Sequence, residues 1–239
     1  MGVLTAAALG RGGCPKDVKK EISIVLYHSV NNCIFVPLED IKAKTMTAGR
    51  PKDFDETAVL DKAIDIFWKK GYEATSLEEL LASMGMGKGS MYHNFGNKRE
   101  VFKLALNRFN QKFGGWLEEE LAKAKDPIAF IREYFKRIPK QGADDHKKGC
   151  FLGNTVAELA CIDPGLEKMA ADHLERIENI FFKHVKDAQQ SGKLKSKEDA
   201  RLLARHLINL WNGLNITRRI YSSPKDLMPL VELQLKVLH

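Results

Sequence analysis

The chain has 239 residues, 44% hydrophobic and 29% charged, with 38 lysines and arginines against 31 acidic residues for a formal net charge of +7. Such a chain buries a real core as one large or two smaller domains, and its basic balance favours a polyanionic partner without distinguishing DNA from RNA or acidic lipid. No stretch approaches the apolar length of a membrane span. The four cysteines, Cys14, Cys33, Cys150 and Cys161, lack a disulfide framework. The start has no basic region of a signal peptide, and Ala6 fails the Ser/Thr requirement for myristoylation, so a cytoplasmic protein is expected.

In residues 1–45, Ile22-Ser-Ile-Val-Leu-Tyr27 and Cys33-Ile-Phe-Val36 flank Asn31-Asn32 and read as a hairpin, but an isolated two-stranded unit is marginal in water. The first strong periodicity follows. Leu60, Ala63, Ile64 and Phe67 form one helical stripe that stops at Gly71, which predicts a helix over roughly 55–70. Ser76 and Glu79 then make an S-x-x-E capping box, and Leu77, Leu80, Leu81 and Met84 carry the apolar face of a second helix. Gly85 ends it, because glycine enters the left-handed cap without a Cβ clash. Met86-Gly87 turns, and a short third helix over 88–95 depends on Met91 and Phe95 for packing. Its other face carries Lys88, Ser90, Tyr92, His93 and Asn94, hydrogen-bonding groups at the helix end that a recognition helix points into the major groove. Asn97 and Glu100 open a fourth helix carrying Phe102, Ala105, Leu106 and Phe109. Between 86 and 112, Lys88, Lys98, Arg99, Lys103, Arg108 and Lys112 face only Glu100, which suggests that positive charge lies along a nucleic-acid backbone.

These residues resemble the TetR-type one-component transcriptional regulators. The similarity is carried by Gly49-Arg-Pro, by Ala63, Phe67 and Gly71-Tyr-Glu-Ala-Thr-Ser76, and by Gly85-Met-Gly-Lys-Gly-Ser-Met-Tyr-His-Asn-Phe-Gly-Asn-Lys98, one ungapped run from Met46 to about Lys112. The resemblance implies that the third helix reads DNA. It places Lys88, Ser90, Tyr92, His93 and Asn94 on groove- or phosphate-contacting positions, puts Ser76 and Lys98 on phosphates, and includes Arg50 in the same set. Met46-Thr-Ala-Gly-Arg-Pro looks like a natural beginning for this family, so residues 1–45 are expected to be disordered or upstream of the native start; the alternative is a genuine extension packed on the body.

Beyond Lys112 the pattern stays helical, with breaks expected at Gly114-Gly115, Asp126-Pro127, Pro139 to Gly149, Asp163-Pro164, Ser191-Gly192 and Ser223-Pro224. Helices are expected over roughly 127–138, 151–161, 164–190, 197–221 and 224–237. The fold class is therefore all-α, a three-helix helix-turn-helix module over 46–96 and a linking helix over 97–112, followed by an effector-binding and dimerisation bundle over 113–239. Leu202, Leu203, Leu207, Leu210, Trp211 and Leu214, with Leu227, Leu230, Val231, Leu233, Leu235 and Leu238, offer more apolar surface than one thin bundle buries, so a homodimer through about 197–237 is expected.

Asp144-Asp-His-Lys-Lys-Gly-Cys150 places a cysteine at a helix start beside Lys147 and Lys148, two influences that stabilise a thiolate. Gly-Cys followed by Asn and Ala-x-Glu also resembles a TetR subgroup of electrophile-responsive, N-ethylmaleimide-type repressors, which makes Cys150 a candidate sensor; a packed small hydrophobe is the commoner role. His146, Cys150 and Asp144 or Asp145 form a weaker metal reading, and no metal or other cofactor is expected. Effector-pocket candidates are Trp116, Phe130, Tyr134, Phe151, Asn154, Met169, His173, Trp211 and Asn215. The expected function is a ligand-responsive repressor released from a palindromic operator by a small molecule. A thiol-based sensor acting through Cys150 and a helical-bundle enzyme are the alternatives, and no nucleophile–base–acid set supports the enzyme.

Overall fold

The structure, a computed structural model, describes residues 54–239, and these form helices joined by short turns with no strand among them. The hairpin reading of 22–36, the start at Met46 and Arg50 lie outside the described residues.

The first helix, α1 (Glu56–Lys70), begins where Asp55 accepts the Thr57 backbone N–H at 2.8 Å, and it buries Val59, Ala63, Ile64, Phe67 and Trp68. Ser76 and Glu79 form the full capping box of α2 (Leu77–Met84), and Gly85 closes that helix in the left-handed region at φ 71°. α3 (Lys88–Phe95) is two turns long and holds its place by burying Met91 and Phe95, as expected of a helix too short to stand alone.

α4 (Lys98–Lys123) departs from expectation: it runs unbroken through Gly114-Gly115 and past the expected end near residue 112. Each glycine costs about 1 kcal/mol in a helix interior, and packing outweighs this because Phe109, Asn110, Leu117 and Leu121 anchor both sides. Gly114 is itself buried, where a Cβ would lie 3.2 Å from Asn110 Oδ1. The amino-terminal module and the carboxy-terminal body thus share one helix.

α5 (Pro127–Arg137) is capped by Asp126 and followed by a 3₁₀ turn, Ile138–Lys140. The expected break over 139–149 contains a further helix, α6 (Ala143–Lys148). Its acidic first turn and basic last turn match the helix dipole, a pattern that reads in sequence as loose loop charge. α7 (Phe151–Leu159), α8 (Pro164–Gln190), α9 (Ala200–Ile220) and α10 (Pro224–Gln234) complete the body, with a terminal 3₁₀ turn at Leu235–Leu238. Pro164 and Pro224 occupy the first turns of α8 and α10 behind Asp163 and Ser223 caps, which is why the sequence placed those starts correctly.

The core is a run of aromatic contacts. Phe67 meets Phe102 edge-on at 4.8 Å, Trp68 meets Phe109 at 5.3 Å, and Phe151 of α7 touches Trp68, Phe102 and Phe109. Phe109 passes the run to Phe113, which stacks on Trp211 of α9 at 5.8 Å. Most leucines expected at a dimer face belong to the subunit core instead: Leu203, Leu207, Leu210, Leu214, Leu227, Leu235 and Leu238 are buried, as are Trp211 and Val231. Leu202 and Leu233 stay exposed, joined by Ile216, Ile220 and Tyr221.

Polar contacts tie the module to the body beside this core. Glu158 of α7 accepts the backbone N–H groups of Tyr72 and Glu73 at 3.1 and 2.8 Å, and Trp68 Nε1 donates to the Gly149 carbonyl at 3.2 Å. Gly71 makes the first approach possible, because it sits at φ 91° and a Cβ there would lie 2.8 Å from the Glu158 carboxylate. Gly71→Ala should therefore cost about 2–4 kcal/mol, from backbone strain plus the displaced carboxylate bonds. Urea unfolding checks this, and a loss under about 0.5 kcal/mol, the size of an ordinary surface substitution, would mean the junction carries no strain.

Candidate nucleic-acid interface

The α2–α3 unit presents one polar surface. Met91 and Phe95 point inward, while Lys88, Ser90 and His93 are exposed and Tyr92 is 47% exposed, too wet for a packed aromatic. Gly87 caps α3 without any side-chain bond, and no acidic residue stands in the first turn. The first backbone N–H groups of α3 therefore point outward with their positive end unneutralised, an arrangement suited to phosphate.

The other expected residues are placed less simply. The Asn94 side-chain amide donates back to the Ser90 carbonyl at 2.8 Å, so it is engaged with its own helix. Ser76 Oγ accepts the Glu79 N–H, which leaves its hydroxyl proton to give. Lys98 opens α4 with its ammonium 4.5 Å from the centre of the Tyr72 ring and 3.5 Å from the Glu73 carbonyl. That contact holds the cation against the turn between α1 and α2.

Charge along 86–112 mostly serves another purpose than expected. Arg108 forms a two-pronged pair with Asp61 of α1, both contacts at 2.7 Å, and Lys112 joins it at 3.2 Å. Arg99 clasps Asp163, the cap of α8, at 2.6 and 2.9 Å, and Lys103 pairs with Glu100. Arg108, Lys112 and Arg99 tie elements together because their carboxylate partners come from α1 and from the cap of α8, which segment counting does not bring near, while Lys103 pairs within α4. Lys88 makes no ion pair among the described residues.

The effector candidates separate into groups. Trp116, Phe130, Tyr134 and Trp211 come together, with Trp116 5.8 Å from Tyr134 and Tyr134 stacked on Trp211 at 5.6 Å. Asn215 lies on the same helix and donates to the Trp211 carbonyl. Phe151 instead packs at the module junction, Asn154 bonds the Lys148 carbonyl and accepts from Arg219, and His173 faces Asn107 at 3.2 Å. Met169 is half-buried on α8.

Cys150 caps α7 as expected, its sulfur accepting from the Gly153 N–H and from Trp211 Nε1 at 3.2 and 3.1 Å. The low-pKa thiolate is not borne out: burial pushes this thiol above its ordinary 9.0, and the two hydrogen bonds only partly offset that. Lys147 is exposed, and Lys148 reaches towards Trp68 and Asp65 of α1. Among the described residues no three His, Cys, Asp or Glu side chains gather as a metal-ligand set. Sequence reasoning missed Glu158, Asp163 and Arg218 as structural anchors, since each acts through partners more than 60 residues away.

A helix-turn-helix with a bare, basic recognition end on a helical body defines a DNA-binding regulator. Comparison with known proteins gives the family. The chain matches the family model for bacterial regulatory proteins of the tetR family over residues 59–105 and the one for tetracyclin repressor-like C-terminal domains over residues 128–230. It is 29% identical to the uncharacterized HTH-type transcriptional regulator YezE of Bacillus subtilis, over 80% of this chain and 99% of that protein. It is 29% identical to the HTH-type transcriptional repressor ComR of Escherichia coli, over 79% and 91% respectively. A cysteine-substituted variant of the TetR family regulator CifR, solved with a 26-bp double-strand operator DNA, shares the fold with TM-score 0.69 at 23% identity, covering 80% of this chain and all of that one. The chain belongs to the TetR family of transcriptional regulators.

The clasp between module and body titrates. Arg99 and the backbone N–H groups of Leu166 and Gly165 hold the Asp163 carboxyl down at about 2, below its ordinary 3.8. A depressed carboxyl stabilises the fold fully above about pH 4, and that contribution drains as pH falls towards 2. Asp163→Asn keeps the cap and loses the ion pair. It should lower stability by under about 1 kcal/mol at pH 7 and flatten the acid limb of the stability curve between about pH 4 and 2, read by chemical denaturation at each pH.

Proposed function

We propose that this protein is a homodimeric, ligand-responsive repressor that leaves a near-palindromic operator when a small molecule binds its carboxy-terminal body. The observation that carries the reading is the recognition end of α3, where exposed Lys88, Ser90, Tyr92 and His93 surround an uncapped helix start. In this reading Lys88, Ser90, Tyr92 and His93 meet base edges or phosphate, and Ser76 and Lys98 grip the flanking backbone. Asn94 turns from Ser90 to the duplex on binding, and Arg50 contributes from outside the described residues. Repression is supported by the relative ComR, which is described as a repressor, and operator binding by the CifR complex.

The dimer is supported by Leu202, Ile216 and Ile220, exposed along α9, with Leu233 on α10 and Tyr221 between them. Large apolar side chains on one surface of a monomer mark an interface. A two-fold copy would set two α3 helices one duplex turn apart, about 34 Å, or a multiple of it, so the operator should be a near-palindrome. Such a regulator works where the DNA is, in the cytoplasm.

Effector binding changes the spacing of the two α3 helices through the shared helix α4, and DNA and effector then weaken each other equally. The test is a mobility shift on the region upstream of the gene, with salt varied. Lys88→Ala should lose about five- to hundredfold in operator affinity and lower the salt slope by about one, with the dimer intact in sedimentation. Unchanged affinity at both salt levels would remove Lys88 from the interface. Ile216→Glu should yield a folded monomer in sedimentation, and an undisturbed dimer would place the interface elsewhere.

A further inference from the structure

Arg218 is the least expected residue of the body. It sits in the last turn of α9 with only 1% of its surface exposed, among the largest fully buried side chains of the chain. Its guanidinium has no carboxylate within ion-pair distance among the described residues. Nη1 donates to the neutral amide oxygen of Gln141, Nη2 donates to the Gly149 carbonyl at 3.2 Å, and Nε has no acceptor among the described residues. Other buried polar atoms nearby in the chain are equally unpartnered: His146 Nδ1 on α6, and Asn212 and Asn215 Oδ1 preceding Arg218 on α9. Burial, the largest influence, draws the Arg218 pKa down; the Asp145 carboxylate, the Cys150 thiol and the Tyr134 hydroxyl favour its charged form through space, and the Arg219 cation opposes it. A buried charge with no counter-charge in contact is a costly arrangement, and proteins keep one where something else completes it.

We propose that Arg218 is the anchor for the carboxylate of a small-molecule effector, and that Gln141 holds its place when the site is empty. The proposal deepens the functional reading above and rests on it for the DNA readout alone. A carboxylate gives Nε its missing acceptor and the guanidinium its missing charge, replacing a neutral amide by a charge-assisted bond. Tyr134 and Trp211, stacked on each other, and the Cys150 sulfur that Trp211 bonds set an apolar, aromatic surrounding, so the effector is a monocarboxylate with an apolar body. Gln141 is half-buried in the turn between Lys140 and α6.

The same anchor is one atom away from the DNA-binding module. The Gly149 carbonyl accepts from Arg218 Nη2 and also from Trp68 Nε1 of α1. An anion that draws the guanidinium to itself frees this carbonyl from Arg218 and shifts the acceptor on which Trp68 hangs. The effector therefore acts on α1, the helix that supports α2 and α3.

The experiment uses the full chain and two pairs of probes, butyrate with butyramide and benzoate with benzamide, at constant ionic strength. In thermal melts at least one acid should raise the wild-type melting temperature saturably, and its amide should not. Arg218→Met should bind that acid at least about tenfold more weakly, the loss of one charge-assisted bond. Gln141→Glu, isosteric and safe for folding, supplies an internal carboxylate to Arg218. It should melt higher than wild type, lose the response to acid, and bind the upstream fragment as weakly as wild type saturated with the acid. The proposal is overturned by equal shifts from acid and amide, by a response retained in Arg218→Met, by a Gln141→Glu protein that responds like wild type, or by no shift from either acid. If wild type ignores the DNA fragment while the acid still stabilises it through Arg218, the anchor stands and the operator reading fails.

Discussion

The structure depends on one continuous element, α4, and on the aromatic run packed along it. Phe102 and Phe109 on its first half meet Phe67, Trp68 and Phe151, and Phe113 one turn on meets Trp211. Rings of this size bury large areas and interlock edge to face, so neither half of α4 can rotate without disturbing the other. A helix that kinked at Gly114-Gly115 would divide the core into two. Because it does not, a change around Trp211 is mechanically close to α1.

Polar cross-links refine that coupling. Glu158 reaches the turn after α1, Asp163 clasps Arg99 at the start of α4, and the Gly149 carbonyl takes the Trp68 indole. All three acceptors stand at or near the ends of α6, α7 and α8, on the side of the body that faces the module. Individually such pairs contribute little where they are exposed, but each is directional and fixes an angle that apolar packing leaves open. Of the lysines and arginines of α4, Arg99 makes such a link to the body, and Arg108 and Lys112 tie α4 to α1. The recognition end is left with few cations, chiefly Lys88 and Lys98, and with the bare amides of α3.

The body separates apolar packing from chemistry with unusual economy. Cys150, Trp211 and Tyr134 form a dry wall, and the thiol there is shielded and raised rather than activated. Against that wall stands Arg218, the one fully buried arginine among the described residues, with neutral hydrogen-bond acceptors in Gln141 and the Gly149 carbonyl. The well-packed aromatic core contrasts with several buried polar atoms on α6 and α9 that have no partner among the described residues.

The sequence by itself determined the helices with strong local signals. The Ser76–Glu79 box, the Asp163-Pro164 and Ser223-Pro224 starts, and the Gly71 and Gly85 stops are each encoded within four residues, so they were legible and correctly placed. The division of α3 into a buried and an exposed face was legible for the same reason, since the side chains of a two-turn helix divide between core and solvent by local periodicity alone. Only the tertiary structure decided the rest. Whether Gly114-Gly115 breaks a helix depends on what packs at its flanks, and whether Arg99, Arg108 and Cys150 are free, paired or buried depends on residues 47 to 64 positions away. It also divided the leucines of α9 and α10 between core and surface, and it buried Arg218 beside Gln141 and Gly149. Local sequence fixes backbone hydrogen bonding, which is short-ranged; charge compensation and burial are properties of neighbours that the chain assembles only by folding.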